Sequence, residues 1–258
     1  MIFETHAHYD DPAFDEDREE ILEKCHKEGI DTIVNIGVNK ETIQNTLRLA
    51  KKYPFVYAAI GVHPSDSEEY DEELRDYIKS LCLSEKKVLA IGEIGLDYHW
   101  EEPDRDTQIR AFVSQLKLAE EIDMPIAVHS RDAAKDTLDI IKEYGRKLSG
   151  VIHCYSYHVK DAKEYVEMGY YIGVGGVVTF KNANKLKEVV KAIPIESIVL
   201  ETDSPYLAPS PYRGKRNCSL YIPNIIEEIA RLKEMTPKEV EAITHDNGKK
   251  LYRLDRRS

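Results

Sequence analysis

Thiols are scarce in this sequence. Four cysteines, Cys25, Cys82, Cys154 and Cys218, stand far apart and no CxxC occurs. Nothing in that spacing suggests a disulfide framework or a cysteine zinc site, and a reducing cytoplasm is the expected setting. No apolar run approaches the roughly 20 residues of a bilayer crossing, so no membrane association is expected. The first residues lack a basic region followed by an apolar stretch, and no secretory leader is expected. No GxGxxG or P-loop follows an early strand candidate; GVGG at 173–176 is too short and too late. No GxSxG elbow occurs, and Cys154 beside His153 reads as strand filler. Positive charge is also in deficit, with 36 Lys and Arg against 47 Asp and Glu, a formal net charge of −11. That balance argues against a broad basic surface coating nucleic acid. It leaves room for a metal centre that grips one phosphate, because the ion brings its own charge. Much of the acidity sits in runs such as SDSEEYDEELRDY at 65–77, read as a solvated helical face.

What is present is an alternation. Apolar, β-branched runs recur as MIFETHA, DTIVNIGV, FVYAAIGVH, VLAIGEIG, PIAVHS, GVIHCY, YYIGVGGVV and SIVLETD. Between them lie helix-like segments that stop at Gly29, before Pro54, and at Gly145 and Gly169. DTQIRAFVSQLKLAEEIDMP has a strong amphipathic pattern. Near the C-terminus, Thr236, Pro237 and Glu239 form a capping-box start for a last helix. Strands alternating with helices predict βαβ units and a parallel sheet. Eight units in 258 residues predict an α/β fold, a (β/α)8 TIM-like barrel, as one domain over 1–258. An open doubly wound sheet is the alternative.

Catalytic groups of such a barrel project from the C-terminal ends of its strands. The first run ends at His6 and His8, which share one face if it is a strand. The third ends at His63, the fourth carries Glu93, the fifth ends at His129, the sixth at His153, and the last at Glu201 and Asp203. Any one of these could be a structural residue. Ligand-type residues at six of eight strand ends point to metal, because buried imidazoles and carboxylates need a partner or an ion. Imidazole and carboxylate without thiolate suit zinc, manganese or magnesium. A glutamate between histidine pairs could bridge two ions about 3.5 to 4 Å apart, as in phosphoester hydrolysis. The expected chemistry is attack by a metal-activated water, with Asp203 as candidate base or ligand. Arg131, and Arg213, Lys215 and Arg216 in the proline-punctuated PSPYRGKRN, suit an anionic substrate. Tyr155, Tyr206 and Tyr212 are candidate base-stacking residues, although most of the 16 tyrosines must serve packing.

THAHYDD at 5–11, GVHP at 61–64, AIGEIGLDY at 90–98, VHSRDA at 128–133, HCYS at 153–156 and ETDSPYLAPSPYRGKRN at 201–217 resemble the TatD-family metal-dependent deoxyribonucleases, within the metallo-dependent hydrolase barrels. The resemblance runs nearly end to end. It implies two divalent ions, with Mg²⁺ expected and Mn²⁺ or Zn²⁺ possible. His6, His8 and Asp203 would hold one and His129 and His153 the other, with Glu93 bridging. Glu201 is implied as an additional acidic contact, and His63 and Arg131 match positions near the substrate phosphate. The implied activity is hydrolysis of DNA from the 3′ end, single strands or 3′ ends being the substrate and no obligate protein partner being implied. Glu4 stands where the family usually has aspartate, and Cys-Tyr-Ser-Tyr follows His153 where phenylalanine and a small residue are common. The same metal site could instead serve a small ester or amide, or deacylate a D-aminoacyl-tRNA. A non-catalytic binding protein is a third possibility.

Overall fold

The computed structural model describes residues 1–256. Along the chain run β1 (Ile2–Ala7), α1 (Arg18–Lys27), β2 (Ile30–Gly37), α2 (Lys40–Lys52), β3 (Val56–Ile60), α3 (Glu72–Ser84), β4 (Val88–Asp97) and α4 (Arg105–Glu121). Then come β5 (Ile126–Arg131), α5 (Ala134–Ile140), β6 (Gly150–Ile152), α6 (Val159–Glu167), β7 (Tyr171–Val174), α7 (Asn184–Ala192), β8 (Ile198–Leu200), α8 (Ile222–Lys233) and α9 (Pro237–Leu251). The strands form one eight-stranded sheet in the order β1 to β8, with parallel pairing in β1–β2, β3–β4, β4–β5, β5–β6 and β7–β8. Each of the eight apolar runs contains one strand. Strands of a parallel sheet are covered on both faces and so read as unbroken apolar runs; all ten residues of β4 are buried.

Three differences from the sequence reading concern extents. β3, β6 and β8 end before the polar residues, so His63, His153, Glu201 and Asp203 lie in the segments that follow. The acidic run at 65–77 splits into a 3-10 turn, Pro64–Glu69, and the start of α3, because Asp71 accepts the Leu74 N–H and restarts the helix. Helix α7 has no counterpart in the sequence reading, although its buried residues Leu186, Val189 and Val190 stand at helical spacing.

The chain divides into two compact units, residues 1–35 with the chain from 154 onward, and residues 36–153. In the first, α9 lies against β1 and β8. Asn247 Nδ2 donates to the Ile195 and Ile198 carbonyls, Tyr252 Oη donates to the Thr5 carbonyl, and the Phe3 and Tyr252 rings stack. The capping box starts α9, Thr236 Oγ1 accepting the Glu239 N–H while Glu239 accepts the Thr236 N–H. In the second unit, Gln115 and Gln108 fasten α4 beneath the strand ends by bonding the backbone of Val62 and of Asp97. Lys87 Nζ donates to the carbonyls of Ala50, Tyr53, Pro54 and Val56, satisfying the chain where α2 stops before proline.

Candidate metal centre

The first unit brings His6, His8 and Asp203 together. His6 is in β1, fully buried, and His8 follows the strand by one residue. Their Nε2 atoms are 3.2 Å apart. Asp203 Oδ1 lies 3.8 Å from His6 Nε2 and 3.4 Å from His8 Nε2. Backbone pairing sets this approach: the Asp203 N–H donates to the His6 carbonyl and the His8 N–H to the Ser204 carbonyl. Asp203 has a φ of 56°, a left-handed conformation that costs a non-glycine residue about 1 kcal/mol or more. Aspartate tolerates it better than most residues.

Glu4 braces this corner. Its Oε1 accepts the N–H groups of His6 and Thr202, and its Oε2 accepts the hydroxyls of Thr202 and Ser219. The longer side chain, where the family usually has aspartate, is thus engaged with structure. Ser219 and Tyr9 exchange hydrogen bonds in turn. Beyond His8, Asn35 accepts the Tyr9 N–H and donates to Asp10. Two imidazole nitrogens and one carboxylate oxygen, held by buried partners and converging within 3.8 Å, are a donor set that fits a divalent ion.

In the second unit Glu93 stands between His129 and His153, whose ring centres are 6.3 Å apart. Glu93 Oε1 lies 2.7 Å from His129 Nδ1 and 3.5 Å from His153 Nε2. The far side of the His129 ring meets a residue the sequence reading passed over. Asp97 Oδ2 is 3.1 Å from His129 Nε2. Burial would lower the His129 pKa, but Asp97 and Glu93 outweigh it and hold it above the ordinary value. Burial would raise Asp97, yet the bonds from His129 and from the His99 N–H hold its carboxyl below the usual range. His63, Asp97 and His129 offer ligand atoms within 4.8 Å of one another. The His63 ring stands 4.4 Å from that of His129 and its Nδ1 accepts the Ser65 N–H. Arg131 ends β5 with its side chain exposed. The signal for Asp97 was in AIGEIGLDY, where it closes the strand that carries Glu93; a register shift between Gly92 and Ile94 breaks the simple alternation that would have placed the two on one face.

The remaining candidates separate. Glu201 is fully buried and accepts the Cys154 N–H. Arg213 is exposed, its guanidinium 4.5 Å above the Phe180 ring. Arg216 is occupied by a bidentate pair with Asp17 and a bond to the Ala13 carbonyl. Tyr155 is a core residue, 2% exposed, with its hydroxyl on the His158 carbonyl. Tyr212 stacks on Tyr221. Tyr206 is 54% exposed and donates to Asp11.

Comparison with known proteins follows the same lines. The sequence profile of the TatD related DNase family matches residues 3–253. The uncharacterized metal-dependent hydrolase YabD of Bacillus subtilis is 44% identical over 256 residues, covering 99% of this chain and 100% of that protein. The 3′-5′ ssDNA/RNA exonuclease TatD of Citrobacter rodentium is 32% identical over 263 residues, covering 100% of both. Among solved structures, the TatD homologue YjjV of Escherichia coli superposes with a TM-score of 0.91 at 30% identity over 98% of each chain. The fold is the (β/α)8 barrel expected from the alternation. Among the described residues, no helix is long and apolar enough to cross a membrane.

Proposed function

Because the chain belongs to the TatD-related DNase family of metal-dependent hydrolases, we propose that it hydrolyses phosphodiester bonds of DNA, working from the 3′ end of a single strand. The convergence of His6, His8 and Asp203 carries this reading. The relative named as a 3′-5′ ssDNA/RNA exonuclease supports it. His6, His8 and Asp203 would hold one divalent ion, and Glu93, His129 and His153 would hold another. Mg²⁺ is the proposed species, with Mn²⁺ and Zn²⁺ as alternatives. Such ions lower the pKa of water and neutralise charge building on the phosphate. Asp203 takes the proton of the attacking water. Glu4 holds Thr202 and the His6 backbone so that Asp203 keeps its approach to the histidines. Substrate contacts are assigned to His63 and Arg131 in one unit and to Arg213 in the other. Glu201 acts from behind, by fixing the Cys154 backbone.

The test uses chelator-stripped protein and a DNA oligonucleotide labelled at its 5′ end. Mg²⁺, Mn²⁺ and Zn²⁺ are added in turn, with Asp203→Asn as control. A ladder shortening from the 3′ end, lost in the variant, is the expected result. Intact DNA from protein shown to bind metal overturns the reading, and a panel of small esters, amides and a D-aminoacyl-tRNA becomes the next substrate set.

A further inference from the structure

Residues 168–187 and 204–226 contain none of the 47 Asp and Glu. Both segments belong to the same unit, and the structure joins them. The Ser210 N–H donates to Thr179 Oγ1 at 2.8 Å, and that hydroxyl donates to the Gly176 carbonyl at 2.7 Å. Gly176 has no room for a side chain, since a Cβ there would lie 2.2 Å from the Leu207 carbonyl oxygen. The Arg213 guanidinium is held over Phe180, and the Lys215 ammonium lies 5.9 Å from the Tyr212 ring.

Lys181, Arg213 and Lys215 are exposed. Among the described residues they form no ion pair, whereas their neighbours Lys187 and Arg216 are paired with Glu228 and Asp17. A protein with a net charge of −11 repels a polyanion over most of its surface, so exposed cations without an ion-pair partner, on two joined segments that carry no carboxylate of their own, are where a phosphate chain is attracted. Gly176 and Leu207 line the same cavity as Asp203, so the surface adjoins the first group of metal ligands. At that edge the Tyr206 ring is exposed and fixed by its hydroxyl on Asp11, with Leu207, 41% exposed, beside it. An exposed aromatic face suits an unstacked base.

We propose that this surface is the track along which the backbone of a single nucleic-acid strand reaches Asp203, with Lys181, Arg213 and Lys215 on its phosphates and Tyr206 under a base. The proposal rests on the phosphodiesterase reading of the metal centre. Its test measures binding separately from hydrolysis. A fluorescent single-stranded oligonucleotide is titrated by anisotropy in chelator, over a range of salt. In Lys181→Gln/Lys215→Gln the slope of log affinity against log salt becomes shallower by about 1.4, at roughly 0.7 for each phosphate of the single strand that is no longer neutralised. Lys238→Gln/Lys250→Gln on α9 changes the net charge equally and leaves the slope unchanged. Equal slopes for both pairs, or no strand binding at low salt, overturn the proposal. Hydrolysis with Mg²⁺ is scored apart. Lysine-dependent binding without cleavage supports the surface and sinks the nuclease reading. Cleavage with lysine-independent binding sinks the surface alone.

Discussion

Asp203 meets two demands at once, a carboxylate turned toward two imidazoles and a backbone at positive φ. Asparagine satisfies the second and fails the first, since it accepts the left-handed region readily. Asp203→Asn should therefore lower DNA hydrolysis by roughly 10²-fold or more, the scale of a lost general base, while its urea midpoint stays near the parent's. A variant that unfolds early would mean that the carboxylate is structural. Glu4 offers a different reading of one residue. Burial pushes its carboxyl up from 4.5 to about 7, although Thr202, Ser219 and the His6 N–H pull against it. Between those values the folded chain holds a proton that the unfolded chain has released. The stability this group contributes is complete below about pH 4.5 and is lost as pH rises through about 7. The loss is on the order of 3 kcal/mol. In chelator-stripped protein, Glu4→Gln should flatten the decline in stability between pH 5 and 7.5, measured by urea unfolding. An unchanged decline would place the titrating group elsewhere.

Helix α9 shows how one element is partly legible and partly not. Its start was readable, because a capping box is made of residues three apart; Thr236→Ala should cost about 1 kcal/mol, read in a thermal melt. Its packing was not. Gly248 lies in the helix, where alanine would be favoured by about 1 kcal/mol on propensity alone. A Cβ there would stand 2.6 Å from Phe3 Cγ, and overpacking of that kind costs about 1 to 3 kcal/mol. Gly248→Ala should thus lower stability on balance, and a raised melting temperature would show that Phe3 yields. No spacing in the sequence reveals this contact, since its two residues lie at opposite ends of the chain.

At the scale of the molecule, divalent metal should stabilise the fold. An ion that binds only the native state adds about 2.7 kcal/mol at one hundred times its Kd. Melting temperatures measured against Mg²⁺, Mn²⁺ and Zn²⁺ should rise in the parent and rise less in Asp203→Asn. Identical responses would remove Asp203 from the ligand set. The barrel makes this coupling natural. In barrels of this kind catalytic residues come from the ends of several strands, and an ion held by His6, His8 and Asp203 would pin β1 to the segment after β8.

From the sequence alone came the eight strands, the barrel, and the histidines and carboxylates at the strand ends. These are properties of apolar runs and of residues placed where such runs stop, and both are local. Tertiary structure decided which polar groups meet. It set Asp97 against His129, gave Glu4 to Thr202 and Ser219, and took Arg216 for Asp17 and Tyr155 for the core. It also joined two acid-free segments into one surface. Each of these depends on distances between residues remote in sequence, which the closing of the chain sets and no local pattern encodes.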